Sequence, residues 1–206
     1  MTEAAERRPK AGRELDRIVT FSDAVFAIAI TILVLDIGVP DGLSPTELPV
    51  QVLDLAPKYL SYVISFLVIA VYWQAHHRVF KPITGYNSTL LWLNVLFLMA
   101  IAFLPFPTSL LGEYGGEQVS VAIYAANAAV ASLLLVSISW YAAAGHRLVS
   151  SDLDDEAERI QRVQGLAVPV VFLLSIAISF FSPRAAMYSW VLLSVTDPII
   201  RWVWSR

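Results

Sequence analysis

An ionisable side chain stands inside the first long apolar stretch of the chain. Residues 17–37 read RIVTFSDAVFAIAITILVLDI, and Asp23 lies more than one helical turn inside this run. A carboxylate within a membrane helix is costly, so it usually faces protein and marks a functional or architectural site. The chemistry open to Asp23 is proton transfer or a hydrogen-bonded tie between helices.

A stripe of side chains follows on the same helix. At about 100° per residue its members fall within an arc of roughly 100°, and Ser22 and Asp23 fall on the opposite side. The members are Ile28, Thr31, Ile32 and Leu35. Such a stripe can pack against lipid or neighbouring helices, or it can line a pore whose narrow apolar rings resist wetting. Periodicity alone does not separate the two interpretations.

The composition predicts the element that must carry these residues, a helix in a bilayer. Hydrophobic residues make up 57% of the 206 positions and charged residues 15%, whereas soluble domains are about 25% charged. A spanning helix needs about 20 mostly apolar residues. The sequence therefore predicts an all-α membrane protein with six transmembrane helices in residues 17–206, after a polar segment 1–16. The predicted spans lie near 17–37, 57–76, 88–109, 118–143, 165–182 and 185–204.

Positive charge is distributed unevenly among the connections. Twelve of the 14 Lys and Arg lie in the N-terminal segment with the start of the first span, the second-to-third and fourth-to-fifth loops, and the C-terminal end. Positively charged loops stay in the cytoplasm. We therefore expect both termini to be cytoplasmic. Only Ser182-Pro183-Arg184 separates the last two spans, so that pair could instead be a re-entrant hairpin.

Several classes of function are disfavoured by what the chain lacks. It has no cysteine and a net charge of −3, which exclude disulfides and thiolate metal sites and make nucleic acid an unexpected partner. No catalytic constellation is visible and six spans leave no room for a soluble catalytic domain, so we expect no enzyme. We also expect no cofactor and no resident metal.

The beginning of the first span carries a specific motif. Arg17, Phe21, Ser22 and Asp23 stand as R-x-x-x-F-S-D, followed by the apolar tail AITILVLDI. This resembles the signature of the transmembrane protein 175 family, the bacterial and lysosomal potassium channels that lack the usual selectivity loop. An ordinary filter would need T-V-G-Y-G. The nearest string here is Thr84-Gly85-Tyr86, in a predicted cytoplasmic loop.

The resemblance implies a homotetramer in a bacterial plasma membrane, with potassium passing along an axis lined by the first helix. On that pattern Ile28, Ile32 and Leu35 match apolar constriction rings and Thr31 adds a ring of hydroxyls. Three motif residues match those that tie the first helix to the second and third: Arg17, Ser22 and Asp23. The candidate partners are a second-span histidine, with His77 favoured over His76, and Trp92 and Asn94 of the third span.

A proton-coupled secondary transporter that uses Asp23 is the alternative function. Transporters usually show internal repeats and interrupted helices near the middle of the membrane. The first span has neither glycine nor proline between Arg17 and Ile37, which favours the channel.

Overall fold

The computed structural model describes residues 2–38, 40, 42, 44–149 and 155–190, with side chains described from residue 12 except at 146 and 155–164. This part of the chain is helical. The elements are α1 (Thr2–Ile32) with a 3-10 extension (Leu33–Ile37), α2 (Leu48–Asp54), α3 (Ala56–Phe80), α4 (Ser88–Phe103), α5 (Pro105–Tyr114), α6 (Gln118–Ala143) with a 3-10 turn (Ala144–His146), α7 (Asp155–Ser179) and α8 (Pro183–Ser189).

Four stretches of the described residues are long and apolar enough to cross a membrane. They are Gly12–Ile37, Ala56–Phe80, Ser88–Tyr114 and Gln118–Ala143, which correspond to the first four predicted spans. The apolar part of α7, Gly165–Ser179, is shorter, and residues 191–204 of the predicted sixth span lie outside the described residues. The helical class is confirmed, whereas the count of six spans stays a prediction.

The first span belongs to a longer helix than predicted. α1 begins at Thr2, so most of the polar segment 1–16 is continuous with the membrane helix. Its buried face repeats every three or four residues, at Ser22, Phe26, Ala29 and Leu33, and packs against α3 and α4. The helix tightens into the 3-10 extension and ends at Gly38, whose φ of +48° is a conformation that favours glycine.

α3 carries a buried polar stripe that bonds to several neighbouring helices. The stripe consists of Ser61, Ser65, Tyr72 and His76. The Ser65 hydroxyl lies 2.8 Å from the Thr108 hydroxyl of α5 and 3.2 Å from the Tyr124 hydroxyl of α6. The Tyr72 hydroxyl donates to the Ala128 carbonyl of α6 at 2.6 Å. Hydrogen bonds between membrane helices contribute stability that lipid-facing apolar contacts do not.

The third span is bent into two helices. Pro105 has no N–H to continue the α4 ladder, and α5 runs on to Tyr114, five residues beyond the predicted limit of 109. Gly112 lets α5 approach α3 closely, since a Cβ there would lie 3.0 Å from Ser61 Oγ and 3.5 Å from Lys58 Cα. α5, the C-terminal part of the third span, therefore packs closely against the start of α3.

The two ends of the bundle are fastened differently. At one end the α3–α4 loop meets the loop after α6 in an isolated antiparallel bridge between Ile83 and Val149, and the Thr84 N–H donates to the Leu148 carbonyl at 2.7 Å. At the other end Lys58 of α3 forms an ion pair with Glu113 of α5. The two loops that the charge pattern assigns to the cytoplasm thus lie at the same end.

Candidate pore-lining helix and its anchor

The predicted stripe lies on the outside of the single chain. Ile28, Ile32 and Leu35 are 59%, 43% and 75% exposed, and Thr31 is exposed beside them. The same face of α1 continues downward through Phe21 to Arg17, a length of about 27 Å at 1.5 Å per residue. That length is close to the roughly 30 Å thickness of the hydrocarbon core. Within the described part of the chain this membrane-length face is therefore largely uncovered.

A chain of hydrogen bonds holds the opposite face of α1. The Ser22 hydroxyl is fully buried and accepts a hydrogen bond from the Asn94 side-chain amide of α4 at 3.0 Å. Asn94 Oδ1 lies 3.0 Å from His76 Nε2 of α3. The amide oxygen only accepts, so His76 Nε2 donates. The Ser22 hydroxyl donates in turn to the Ile18 carbonyl at 2.9 Å. Three spans are joined through Asn94.

Aromatic rings fix the position of the histidine in this chain. The His76 ring stacks on Phe80 with centroids 4.3 Å apart and lies nearly parallel to Phe97 at 5.6 Å. Phe26 of α1 meets it edge-on at 5.7 Å. His76 Nδ1 is buried and makes no hydrogen bond to the described residues. The ring is therefore oriented by its Nε2 bond and by packing from α1, α3 and α4.

Asp23 forms the second tie between α1 and α3. Its Oδ1 accepts a hydrogen bond from Trp73 Nε1 at 2.9 Å, and the pair lies near the surface of the chain, with Trp73 43% exposed. Asp23 and Ser22 are successive residues that bond to different helices. Together they fix the rotation of α1 and turn its stripe away from the bundle. We refer to Ser22, Asp23, Trp73, His76 and Asn94 as the anchor of α1.

In the single chain several of the predicted partners lie away from Ser22 and Asp23. His77 is exposed and contacts only the Trp73 ring among aromatic groups, with centroids 6.4 Å apart, so His76 takes the place predicted for His77. Trp92 is 65% exposed because it lies on the outer face of α4. Arg17 bonds to Glu14, one turn earlier on α1, and ties α1 to no other span by any described contact.

The position of Arg17 follows from the geometry of the helix. Arg17 and Phe21 fall within about 20° of Ile28 at 100° per residue, and both are exposed with the stripe. Only the Ser22-Asp23 part of the motif faces the bundle. The motif therefore contributes Ser22 and Asp23 to the anchor, and Arg17 and Phe21 to the N-terminal end of the exposed face.

Sequence reasoning ranked His76 below His77 and did not single out Trp73. The missing signal was the polar stripe of α3, in which Ser61, Ser65, Tyr72 and His76 recur at multiples of about one turn. Adjacent histidines point about 100° apart on a helix, so only one can share that face. The hydrogen bond from Trp73 to Asp23 could be known only from the tertiary structure.

The exposed face of α1 carries no reactive side chain between Phe21 and Leu35. Between Phe21 and Leu35 the exposed face of α1 holds only apolar side chains and the Thr31 hydroxyl. The described residues contain no group of three His, Cys, Asp or Glu that could bind a metal. The face can therefore exclude water, pack against another surface and offer hydroxyl oxygens, and it has no group for acid–base or metal chemistry.

Comparison with known proteins decides the family. Residues 17–105 match the family described as endosomal/lysosomal potassium channel TMEM175. A potassium channel of Streptomyces collinus is 35% identical over 82% of this chain and 84% of its own length, and one of Chamaesiphon minutus is 36% identical over 88% and 90%. The chain belongs to the TMEM175 family. It is a multi-pass membrane protein.

A solved structure of a TMEM175 relative has the same architecture. The crystal structure of a lysosomal potassium-selective channel TMEM175 homolog from Chamaesiphon minutus aligns with a TM-score of 0.78 and 32% identity. The alignment covers 91% of this chain and 98% of that one. The stripe and all three members of the Ser22–Asn94–His76 chain lie within the residues 17–105 matched to the TMEM175 family.

We predict that Asn94→Ala destabilises the protein more than Asn127→Ala does. Asn94 links Ser22 and His76, whereas Asn127 makes one interhelical bond, to the Ala100 carbonyl at 3.0 Å. One such bond contributes about 0.6 kcal/mol on average in membranes. Asn94→Ala removes two such bonds and leaves the buried His76 Nε2–H without its acceptor, which costs about 1–3 kcal/mol more. Thermal unfolding in detergent measures the difference. Equal shifts for the two variants would contradict the role given to Asn94.

Proposed function

We propose that this protein is a homotetrameric, potassium-permeable cation channel of a bacterial plasma membrane. The observation that carries the proposal is the membrane-length exposed face of α1, turned outward by buried hydrogen bonds on its other side. Membership of the TMEM175 family supports potassium as the permeant ion. It also supports a transport function rather than an enzymatic one.

A ring of protomers is required by geometry. One helix can supply only one wall of a pore, so a closed symmetric assembly must bring several copies of α1 around an axis. With four copies, Ile28, Ile32 and Leu35 each form an apolar ring. Such constrictions gate or select ions by resisting wetting. The exposure of the three side chains in the single chain is what such an assembly needs.

Thr31 adds a ring of oxygen atoms to the same wall. Its Oγ1 lies 3.0 Å from the Ala27 carbonyl and 2.9 Å from the Ile28 carbonyl. The hydroxyl donates its single hydrogen to these two backbone oxygens of the same helix. The remaining lone pairs of Oγ1 are free to accept. In the tetramer four such oxygens would face the axis and offer a passing cation neutral ligands between the apolar rings.

The proposal includes the membrane topology. Residues 17–206 form one domain of six spans with both termini in the cytoplasm, and residues 1–16 are cytoplasmic, with α1 beginning at Thr2. The positive-inside rule supports this orientation, and so does the junction of the two positively charged loops through Thr84 and Leu148 at one end of the bundle. Lys58 and Glu113 then lie at the outer end.

We predict that Ile28→Asn increases ion flux and changes the preference for potassium over sodium. A polar ring lowers the cost of wetting the constriction, and lowering a barrier by about 1.4 kcal/mol raises a rate about tenfold. Current recordings from purified protein in planar bilayers, with potassium and sodium on opposite sides, measure both quantities. Wild-type currents and reversal potentials in the variant would contradict the assignment of Ile28 to the pore.

The matched control for that experiment is Leu67→Asn. Leu67 lies on α3, within a membrane span, and is 59% exposed, as Ile28 is. It does not share the face of α1, so the same substitution should leave conductance and selectivity unchanged. A similar change in both variants would indicate a general disturbance of the membrane domain rather than an altered pore.

A conservative change at Asp23 separates the channel from the transporter alternative. Asp23→Asn keeps an oxygen that can accept the Trp73 Nε1–H bond, but it removes the ionisable group. We predict that the variant retains potassium flux in liposomes, with no dependence on a proton gradient. Asp23→Ala loses the acceptor and should reduce the yield of assembled tetramer. Loss of flux in a fully assembled Asp23→Asn protein would favour proton coupling.

A further inference from the structure

The connection between the first and second spans contains a short helix whose apolar side chains have no partner within the described part of the chain. α2 is joined to α3 by the single residue Leu55, and every residue from Leu48 to Asp54 is exposed. Pro57 has no N–H to bond the Leu53 carbonyl, so the helical ladder breaks between α2 and α3. The ladder of helical hydrogen bonds is therefore interrupted where α2 joins α3.

The exposed surface of α2 is amphipathic. At about 100° per residue its apolar side chains cover an arc of roughly 200°, and Gln51 and Asp54 occupy the remaining side. The apolar members are Leu48, Pro49, Val50, Val52 and Leu53. Leu53 is 74% exposed. A helix with this division of side chains is suited to a boundary between water and an apolar phase.

The depth of α2 is fixed by its neighbours. Lys58 of α3 pairs with Glu113 of α5, which brings the exposed rings of Tyr59 and Tyr114 to the same end of the bundle. Tyrosine is enriched where membrane spans meet water. Asp54 ends α2 five residues before Tyr59, or less than about 8 Å of helix rise. The end of α2 is therefore close to the predicted membrane surface.

Glu47, the residue that precedes α2, is held by hydrogen bonds to Ser44. The Glu47 carboxylate accepts hydrogen bonds from the Ser44 backbone N–H at 3.0 Å and from the Ser44 hydroxyl at 2.6 Å. These bonds hold the pKa of the Glu47 carboxyl below its ordinary value. A charged carboxylate beside the apolar face gives the segment one side for water and one for hydrocarbon.

We propose that α2 is an interfacial helix that inserts its apolar face into the outer leaflet of the lipid bilayer. The occupant is lipid because α2 ends one residue before a membrane span and close to the tyrosines at the end of that span, and because its apolar side chains are exposed. Such helices bury their apolar face about 5–10 Å into the boundary between headgroups and acyl chains. This proposal rests on the proposed topology, which puts the connection between the first two spans on the outer side, and not on the path of the ion.

Spin labels at two neighbouring residues of α2 test the proposal. The chain has no native cysteine, so Leu53→Cys and Gln51→Cys each give a single nitroxide site in the protein reconstituted into phosphatidylcholine vesicles. Oxygen concentrates in lipid and a nickel chelate stays in water. The label at Leu53 should be relaxed mainly by oxygen, and the label at Gln51 mainly by nickel. Val52→Cys repeats the test should the Leu53 variant fail to assemble.

Two results would overturn the proposal. Dominant relaxation by nickel at both Leu53 and Gln51 would mean that α2 is a solvated loop. Protection of the Leu53 label from both reagents would mean that protein covers the apolar face, as it would if a second copy of the chain packed there. Neither result would alter the potassium flux expected of the wild-type protein, so failure here is distinguishable from failure of the proposed channel.

Discussion

The hydrogen bonds from Ser22 to Asn94 and from Asn94 to His76 determine how the first span is rotated within the bundle. Lipid is as apolar as leucine, so apolar side chains alone do not specify which face of a membrane helix points inward. A buried hydroxyl and amide do specify it, since an unpaired polar group in hydrocarbon is costly. With Ser22 bonded inward, Ile28 and Leu35 must lie outward.

The second span gives this anchor its stability. Its buried polar stripe bonds in turn to α5, α6 and α4, and Trp73 on an adjacent face bonds to Asp23 of α1. The first span is thus attached to a scaffold that is itself fixed by hydrogen bonds. This arrangement explains how one helix can leave a membrane-length apolar face unpaired in the single chain without losing its orientation. The division of α1 into an anchored and a free face is the structural basis of the proposed pore.

The sequence predicted most of this fold because hydropathy and helical periodicity are local properties. The first four spans and the separation of Ser22 from the isoleucine stripe follow from them. The partners of the motif do not, because they depend on which face of α3 is buried: that face selects His76 rather than His77. The resemblance assigns Arg17 to the residues that tie the first helix to the second and third, whereas its angle on the helix places it on the same face as Ile28. α2 is too short for a hydropathy signal, and its exposure could be known only from the tertiary structure.

In the proposed channel the exposed face of α1 surrounds a fourfold axis through which potassium passes. Cadmium block of the Thr31→Cys variant tests it most directly, since the native chain has no cysteine and thiolates are soft ligands for such a metal. Four thiols around one axis should bind Cd²⁺ and stop the potassium current, with recovery on addition of a chelator, while Leu67→Cys should be unaffected. A Thr31→Cys current that cadmium does not change, or equal block of Leu67→Cys, would contradict the account.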